Sequence, residues 1–123
     1  MGQYVLNEKD GRYLFNLCSS NGHILGTSLV FPSREECLAG IDAVREDTPT
    51  ATVEDSTVDA FKREPAPKYR IYETLSCNYF FRFFTKDNGD IFQSHSYAKK
   101  ESLLRRIERM RNECDSSIAA DDL

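Results

Sequence analysis

The first part of the chain shows a strand-type pattern of apolar and polar positions. Residues 12–18 carry an aromatic or aliphatic side chain at every second position, which is typical of a half-buried β-strand. Two pairs, Asp10-Gly11 and Asn21-Gly22, flank this segment, and their glycines supply the positive φ that tight hairpin turns need. The pattern therefore predicts a meander of three strands, at residues 4–7, 12–18 and 24–30.

A helix-type pattern follows these strands. Ser33 is suited to cap the helix, and Glu36 stands at the spacing of a capping box. Apolar side chains then recur on one helical face, namely Cys37, Leu38, Ile41 and Val44. Thr48 precedes Pro49, a position at which α geometry is disfavoured. The pattern predicts a helix at residues 34–46.

The same order of patterns returns later in the chain at a constant offset of 66 residues. Residues 4–47 align with residues 70–113 without a gap, and apolar positions match, as Val5 does with Ile71. Seven residues of the first copy are identical to the residue 66 positions later, namely Tyr13, Phe15, Ser28, Glu35, Leu38, Ile41 and Arg45. The second copy predicts a helix at residues 99–113, which lacks a serine cap but repeats the apolar stripe.

The chain length of 123 residues is sufficient for one domain with a core of its own. We predict a single domain over residues 1–123, with a first repeat at 4–55 and a second repeat at 69–120. The polar, acidic segment 56–68 is the predicted linker, and each repeat is expected to end in a short further strand.

A set of residues spread through the first copy matches the pattern of a known protein family. It comprises Met1-Gly2, Tyr4-Val5-Leu6, Asp10-Gly11, Tyr13, Phe15, Leu17, Asn21-Gly22, Ser28, Phe31, Ser33-Arg34, Cys37, Gly40-Ile41 and Val44. With this string the chain resembles the YegP-like proteins, a family of unknown function. The resemblance implies an α+β fold of two tandem β-β-β-α-(β) repeats that exchange their last strands. It also implies one antiparallel sheet of pseudo-twofold symmetry, with both helices on one face. The second copy departs from the string, with Cys77 in place of Gly11 and Arg106 in place of Gly40.

Composition and charge narrow the functional classes. The formal net charge of −4 gives no general case for nucleic-acid binding. No apolar run approaches the roughly 18 residues that a membrane span needs. The N-terminal residues do not combine a basic start with an apolar stretch, so we expect a cytoplasmic protein without a secretory signal.

The residues that carry catalytic or metal chemistry are few and scattered. The four cysteines form no close pair, and the two histidines, His23 and His95, lie far apart in sequence. We therefore expect reduced thiols and neither a metal nor another cofactor. Cys37 with His23 is the conceivable nucleophile and base, but Cys37 belongs to the apolar helix stripe. The sequence predicts a protein that is not an enzyme.

The run Asn78 to Phe84 is the most unusual local feature. Alternation assigns one set of its aromatic side chains to the core and directs Phe80, Arg82 and Phe84 to the opposite face of the sheet. If the helices cover only one face, these three side chains form an open surface, and arginine beside aromatic residues is common at interface hot spots. The equally weighted alternative is that the linker or the tail folds over them.

Two further sets of residues are candidates for binding. Ser28 and Ser94 are matched residues late in the third strand of each copy, where they either line a shared ligand site or, as we favour, hydrogen-bond the backbone. The second helix has a basic set comprising Lys99, Lys100, Arg105, Arg106 and Arg109. Such a patch is typical of nucleic-acid binders, although interleaved glutamates favour an ordinary solvated helix.

The function predicted from the sequence is a small, non-catalytic binding or interaction module. Its expected partner is a protein, or a second copy of the chain, on the open face of the sheet. The alternative is a nucleic-acid-binding accessory protein that uses the basic second helix. A small enzyme is the least supported possibility.

Overall fold

The computed structural model describes residues 2–87 and 89–119. The elements of the first half are β1 (Gln3–Lys9), β2 (Arg12–Cys18), β3 (Ile24–Ser28), α1 (Arg34–Asp47), a 3₁₀ turn (Thr48–Thr50) and β4 (Thr52–Asp55). The elements of the second half are β5 (Lys68–Glu73), β6 (Tyr79–Thr85), β7 (Gly89–Gln93), α2 (Lys100–Glu113) and β8 (Ser117–Ile118). Met1 of the family string, and residues 88 and 120 of the predicted second repeat, lie outside the described part of the chain.

All eight of these strands belong to one open sheet, in the order β4-β5-β6-β7-β3-β2-β1-β8. The predicted antiparallel arrangement is correct for the six central strands, but both edge pairs, β4 with β5 and β8 with β1, run parallel. The reason is that each edge strand follows a helix, whereas the tight hairpins within each half force their strands to be antiparallel. The protein is therefore an α+β protein with a mixed sheet.

The buried side chains of the sheet and of both helices form a single core. Helix α1 contributes Cys37, Ile41 and Val44, while α2 contributes Leu103, Ile107 and Met110. The sheet adds fully buried aromatic residues, among them Tyr4, Phe15, Tyr69, Phe81 and Phe83. The two predicted helical stripes are confirmed except at one edge, where Leu104 is 41% exposed.

The two helices begin differently, as their sequences predict. Ser33 has extended backbone geometry, and its hydroxyl accepts a hydrogen bond from the Glu36 amide at 3.2 Å. Lys99 occupies the equivalent position before α2 and makes no side-chain cap. Helix α1 runs one residue beyond the predicted end and passes into the 3₁₀ turn that contains Pro49.

The match between the two halves slips by one residue in their first strands. Glu8 pairs with Tyr13 in the first hairpin, and Glu73 pairs with Tyr79 in the second, so the second hairpin is one residue longer. Cys77 has a φ of 63° in that longer turn. The predicted match of Val5 with Ile71 is therefore wrong, since Ile71 is buried whereas Val5 is only half-buried.

Candidate functional site

One face of the sheet carries a polar row that crosses five strands in register. Asn16 pairs with Thr27 and Thr27 with Gln93, while Arg82 pairs with both Gln93 and Arg70. The Thr27 hydroxyl donates to the Asn16 amide oxygen at 2.6 Å, and Arg82 Nε donates to Gln93 Oε1 at 3.2 Å. Because the opposite face holds the core, this row lies on the open face.

Aromatic and cationic side chains stack beside the second-half end of this row. The rings of Tyr72 and Phe80 are parallel within 17°, and their centroids are 5.2 Å apart. The Arg82 guanidinium carbon lies 5.2 Å from the Tyr72 centroid and 5.7 Å from the Phe80 centroid. A cation at this distance from a ring face is attracted by the ring quadrupole. We call Tyr72, Phe80 and Arg82 the aromatic–arginine cluster.

Phe84 belongs to a different environment on the same face. The Lys68 ammonium lies 5.4 Å from the Phe84 ring, and Lys68 is held by the buried carboxylate of Glu54 at 2.9 Å. Residues of the linker also reach this region, because the Glu64 amide donates to Glu54 and Phe61 lies 5.4 Å from the Arg70 guanidinium. Lys68, the cation beside Phe84, is therefore internally paired. Arg70 is paired with the same carboxylate at 3.2 Å and lies 5.3 Å from the Tyr72 ring, so it links this region to the aromatic–arginine cluster.

The predicted open patch is thus less exposed than its sequence indicates. Phe80, Arg82 and Phe84 are all half-buried, because aromatic rings and cationic side chains of the same chain cover one another. The Arg82 side chain is 42% exposed. Its nearest carboxylate, that of Asp90, lies at 3.9 Å and is itself 48% exposed, so it neutralises Arg82 only weakly.

Ser28 and Ser94 make the same pair of hydrogen bonds in the two halves. Their hydroxyls accept from the amides of Phe15 and Phe81, both at 2.9 Å, and donate to the carbonyls of Leu29 and His95. Both serines also line a shallow cavity of about 280 Å³ in the middle of the sheet. Since each hydroxyl proton is already bound to backbone, the favoured structural interpretation accounts for both residues.

The basic residues of the second helix separate into two groups. Lys100 turns toward β4, where its ammonium binds Asp55 at 2.8 Å and the Thr57 hydroxyl at 2.7 Å. Lys99 lies exposed before the first turn of the helix. The structure therefore separates Lys100 from the arginines, whereas the exposed Lys99 precedes the helix seven residues before Arg106.

The arginines of α2 share a groove with Tyr97 and Ser102. We call this cavity of about 330 Å³, lined by Tyr97, Ser102, Arg105, Arg106 and Arg109, the arginine groove. The Arg106 guanidinium lies 5.5 Å from the Tyr97 ring centroid, and Arg109 Nη2 donates to the Ser20 hydroxyl at 3.1 Å. This arrangement concentrates positive charge on one turn of the helix.

The conceivable cysteine nucleophile is unsuited to catalysis. Cys37 is fully buried in the core, and its burial raises the pKa of the thiol to about 11, although Arg34 opposes this shift. A thiol with so high a pKa holds almost no thiolate at neutral pH. His23 lies exposed in the loop between β2 and β3.

Sequence reasoning missed Tyr72, Tyr97 and Arg70 as members of these surfaces. Tyr72 pairs directly with Phe80 across β5 and β6, but the constant offset matches Tyr72 with Leu6 and would have paired it with Phe81, so the repeat pattern did not identify this contact. Tyr97 aligns with Phe31 at the constant offset, but its contact with Arg106 depends on the path of the loop before α2. Arg70 joins the open face only because β5 is shifted by one residue.

Comparison of the sequence with known proteins identifies relatives of this chain. Residues 8–55 match a domain of unknown function, DUF1508. A UPF0339 protein of Pseudomonas aeruginosa is 40% identical over 120 residues, covering 97% of this chain and 94% of its own length. A UPF0339 protein of Methanosarcina acetivorans is 37% identical over 49 residues, which span 40% of this chain and 84% of the archaeal protein.

Two solved structures resemble the whole fold. The solution structure of YegP from E. coli, described as a protein of unknown function, aligns with a TM-score of 0.78 at 20% identity and covers 98% of this chain and 92% of its own. The UPF0339 protein of Shewanella oneidensis aligns with a TM-score of 0.75 at 17% identity over 95% of this chain and 89% of its own. The resemblance drawn from the sequence is confirmed: the chain belongs to the UPF0339, YegP-like family of unknown function.

Proposed function

We propose that this protein is a non-catalytic, cytoplasmic protein-binding module that recognises its partner on the open face of the sheet. The observation that carries the proposal is the aromatic–arginine cluster, in which Arg82, whose carboxylate partner Asp90 is half-exposed at 3.9 Å, is held against two stacked rings. Tyrosine and arginine are enriched among the residues that dominate binding energy at interfaces. In the described part of the chain, both α-helices have 14 residues and fall short of what a membrane-spanning helix requires.

The proposal includes a tandem duplication related by a pseudo-twofold axis. Thr27 pairs with Gln93, its own equivalent at the offset of 66, which is the relationship expected at such an axis. Arg45 and Arg111 are also matched, since each donates to a backbone carbonyl next to the last strand of the other half, at 2.8 Å and 2.9 Å. The short archaeal relative, which matches 40% of this chain with 84% of its own length, supports the same origin.

The chemistry of the cluster indicates the kind of partner. The Tyr72 and Phe80 rings offer an apolar surface, and Arg82 offers guanidinium donors beside it. A protein segment with a carboxylate next to an apolar side chain complements both features. In the first half the equivalent pair is Asn7 and Leu14, which line an open depression of about 510 Å³. The aromatic surface is therefore particular to the second half.

The equivalent residues of the first half provide a test that spares the core. Changing Phe80→Leu and Arg82→Asn gives the second half the residue types that β2 carries at positions 14 and 16. We expect this variant to stay folded and to lose at least tenfold in affinity for the bound partner. Partners are first captured from native lysate, then purified and measured by calorimetry. The matched control, Arg105→Ala, alters α2 and should bind like the wild type.

Self-association is measured on the same two variants by light scattering. If the wild type is a dimer and only the Phe80→Leu/Arg82→Asn variant is a monomer, the partner is a second copy. If the folded Phe80→Leu/Arg82→Asn variant binds its partner as tightly as the wild type does, the open face is not the binding surface. Binding of an oligonucleotide that is lost with Arg105→Ala would instead favour the nucleic-acid alternative. We rank that alternative second because Lys100 is occupied by Asp55.

A further inference from the structure

The arginine groove has an equivalent in the first half that carries no cation. That groove, of about 400 Å³, is lined by Phe31, Pro32, Glu36, Ala39, Gly40 and Ile91. At the offset of 66, Ala39 and Gly40 correspond to Arg105 and Arg106. Phe31 packs so close to Gly40 that a Cβ there would lie 2.8 Å from its ring. The two halves thus form a depression at the same place. In the first half it is lined by apolar residues and Glu36, and in the second half it is lined by arginines.

The arginines in the second groove are positioned mainly by neutral groups. Arg105 Nη2 donates to the Ser102 hydroxyl at 3.4 Å, and Arg106 lies over the Tyr97 ring. Within the described residues, neither guanidinium has a carboxylate at salt-bridge distance. Arg109 lies 3.6 Å from Glu113, but that carboxylate also accepts from the amides of Gly2 and Ser20.

We propose that the arginine groove binds a phosphate monoester dianion. Adjacent guanidinium groups repel one another until an anion lies between them, and the planar fork of arginine matches two oxygens of one phosphate. A monoester has close to two negative charges and three terminal oxygens at neutral pH, which suits Arg105 and Arg106 together with the Tyr97 and Ser102 hydroxyls. A carboxylate has one charge and two oxygens, so it satisfies only part of this set.

The surroundings of the groove favour a compact anion over a polymer. A second depression next to the arginine groove shares Arg105 and Arg109 with it. Glu108 lines this second depression, together with Leu104 and Asn112. Lys100 is turned away toward Asp55. An extended phosphodiester chain draws its affinity from many cations along a track, whereas two of the neighbouring cations here, Lys100 and Arg109, already contact Asp55 and Glu113.

The experiment is a titration of the full chain followed by NMR of the arginine Nε–H groups. The probes are inorganic phosphate, phenyl phosphate and an eight-residue oligothymidylate, each at constant ionic strength set with chloride. We expect saturable shifts at Arg105 and Arg106 with one phenyl phosphate per chain. Inorganic phosphate should bind at the same groups, and a preference for phenyl phosphate identifies the esterified form as the ligand.

Three variants make the result specific. Arg105→Ala/Arg106→Ala should weaken phenyl phosphate binding at least tenfold while circular dichroism stays native, since the first half has Ala39 and Gly40 at the equivalent positions. Lys9→Ala/Lys86→Ala removes the same charge from other elements and should bind like the wild type. Arg105→Lys/Arg106→Lys keeps the charge without the fork and should bind several-fold more weakly than the wild type.

Other outcomes would overturn the proposal. Equal losses in the alanine variant and in the Lys9/Lys86 control would mean that only overall charge matters. Full binding by the lysine variant would remove the role of the guanidinium fork. Tighter binding of the oligothymidylate than of phenyl phosphate, with a steep dependence on salt, would show a polyanion surface in place of a monoester site.

Discussion

Phe92 lies across the middle of the sheet with its ring over Gly26. A Cβ at Gly26 would come within 2.2 Å of ring atom Cε2, so the position requires glycine. The same ring stacks on Phe15 with a centroid separation of 5.7 Å. Gly26 and Phe92 are equivalent residues at the offset of 66, and the space between them holds one ring only. Packing therefore requires glycine in one half and phenylalanine in the other at this pair of equivalent positions.

Glu54 is the most buried acidic residue in the described chain. Its side chain is fully buried between Lys68 at 2.9 Å and Arg70 at 3.2 Å, and its Oε1 also accepts from the Glu64 amide. Burial alone would raise the pKa of the carboxyl, but these hydrogen bonds and the two cations lower the pKa below its ordinary value of 4.5. The carboxylate thus stabilises the edge pair of β4 and β5 in its charged form.

We expect Glu54→Gln to lower the free energy of unfolding by about 2 kcal/mol at pH 7, because hydrogen bonds to a charged group are lost. The folded-state pKa is lowered, so the stabilisation is present above pH 4.5 and is lost as the pH falls through the folded value. Urea denaturation of both proteins between pH 7 and pH 3 should show the difference shrinking below pH 4.5. Glu73→Gln, an exposed change on β5, is the control, and a difference that does not depend on pH would contradict the argument.

At the scale of elements, the two helices are similar in length and differ in how they begin. Both have 14 residues and bury one stripe against the sheet. Ser33 closes the first turn of α1, whereas Lys99 leaves the amides at the start of α2 without a side-chain acceptor. Capping by a serine contributes about 1 kcal/mol to helix stability. The difference between the helices therefore follows from one residue.

Exchanging the cap chemistry should change stability in opposite directions. We expect Ser33→Ala to lower the free energy of unfolding by about 1 kcal/mol and Lys99→Ser to raise it by up to about 1 kcal/mol. Lys99 is exposed and already has extended backbone geometry, so serine fits there without rearrangement. Thermal and urea denaturation of both variants provide the measurement. An unchanged Ser33→Ala protein would show that the hydrogen bond to Glu36 adds nothing.

At the scale of the whole molecule, each half ends in a strand that belongs to the other half's edge. β4 follows α1 but pairs with β5, and β8 follows α2 but pairs with β1. The arginines near the helix ends strengthen this exchange, since Arg45 binds the Ser116 carbonyl and Arg111 binds the Ala51 carbonyl. Both halves also contribute to one core, so neither buries its apolar surface alone.

A cut in the linker therefore tests the interdependence of the halves. We expect a chain divided between Asp59 and Ala60, two exposed residues, to keep its native NMR spectrum when both fragments are co-expressed. Each fragment alone should be unfolded as a monomer, because its edge strand and its half of the core lose their partners. Gel filtration with circular dichroism measures this. A fragment that folds stably as a monomer would show that the exchange is dispensable.

Much of the local structure could be predicted from single residues and their spacing. The Asp10-Gly11 turn, the Ser33 cap and the two apolar stripes all act over a few residues, so the printed sequence is sufficient to infer them. The same residues carried the family resemblance, and the single sheet was implied by that resemblance, not by the local patterns. For the candidate sites, the sequence identified Arg82, Phe80 and the arginines of α2 as unusual, but it did not indicate which of them meet.

Contacts between distant segments decided the rest. Tyr72 faces Phe80 because a longer second hairpin shifts β5 by one residue, and a shift of one residue reverses which side chains face the core. Lys100 leaves the basic set because β4 places Asp55 beside it, 45 positions earlier in the chain. The sequence by itself determined which elements form, since periodicity and capping are local. Only the tertiary structure decided which charges are already paired, because pairing depends on strands and helices that the chain brings together from far apart.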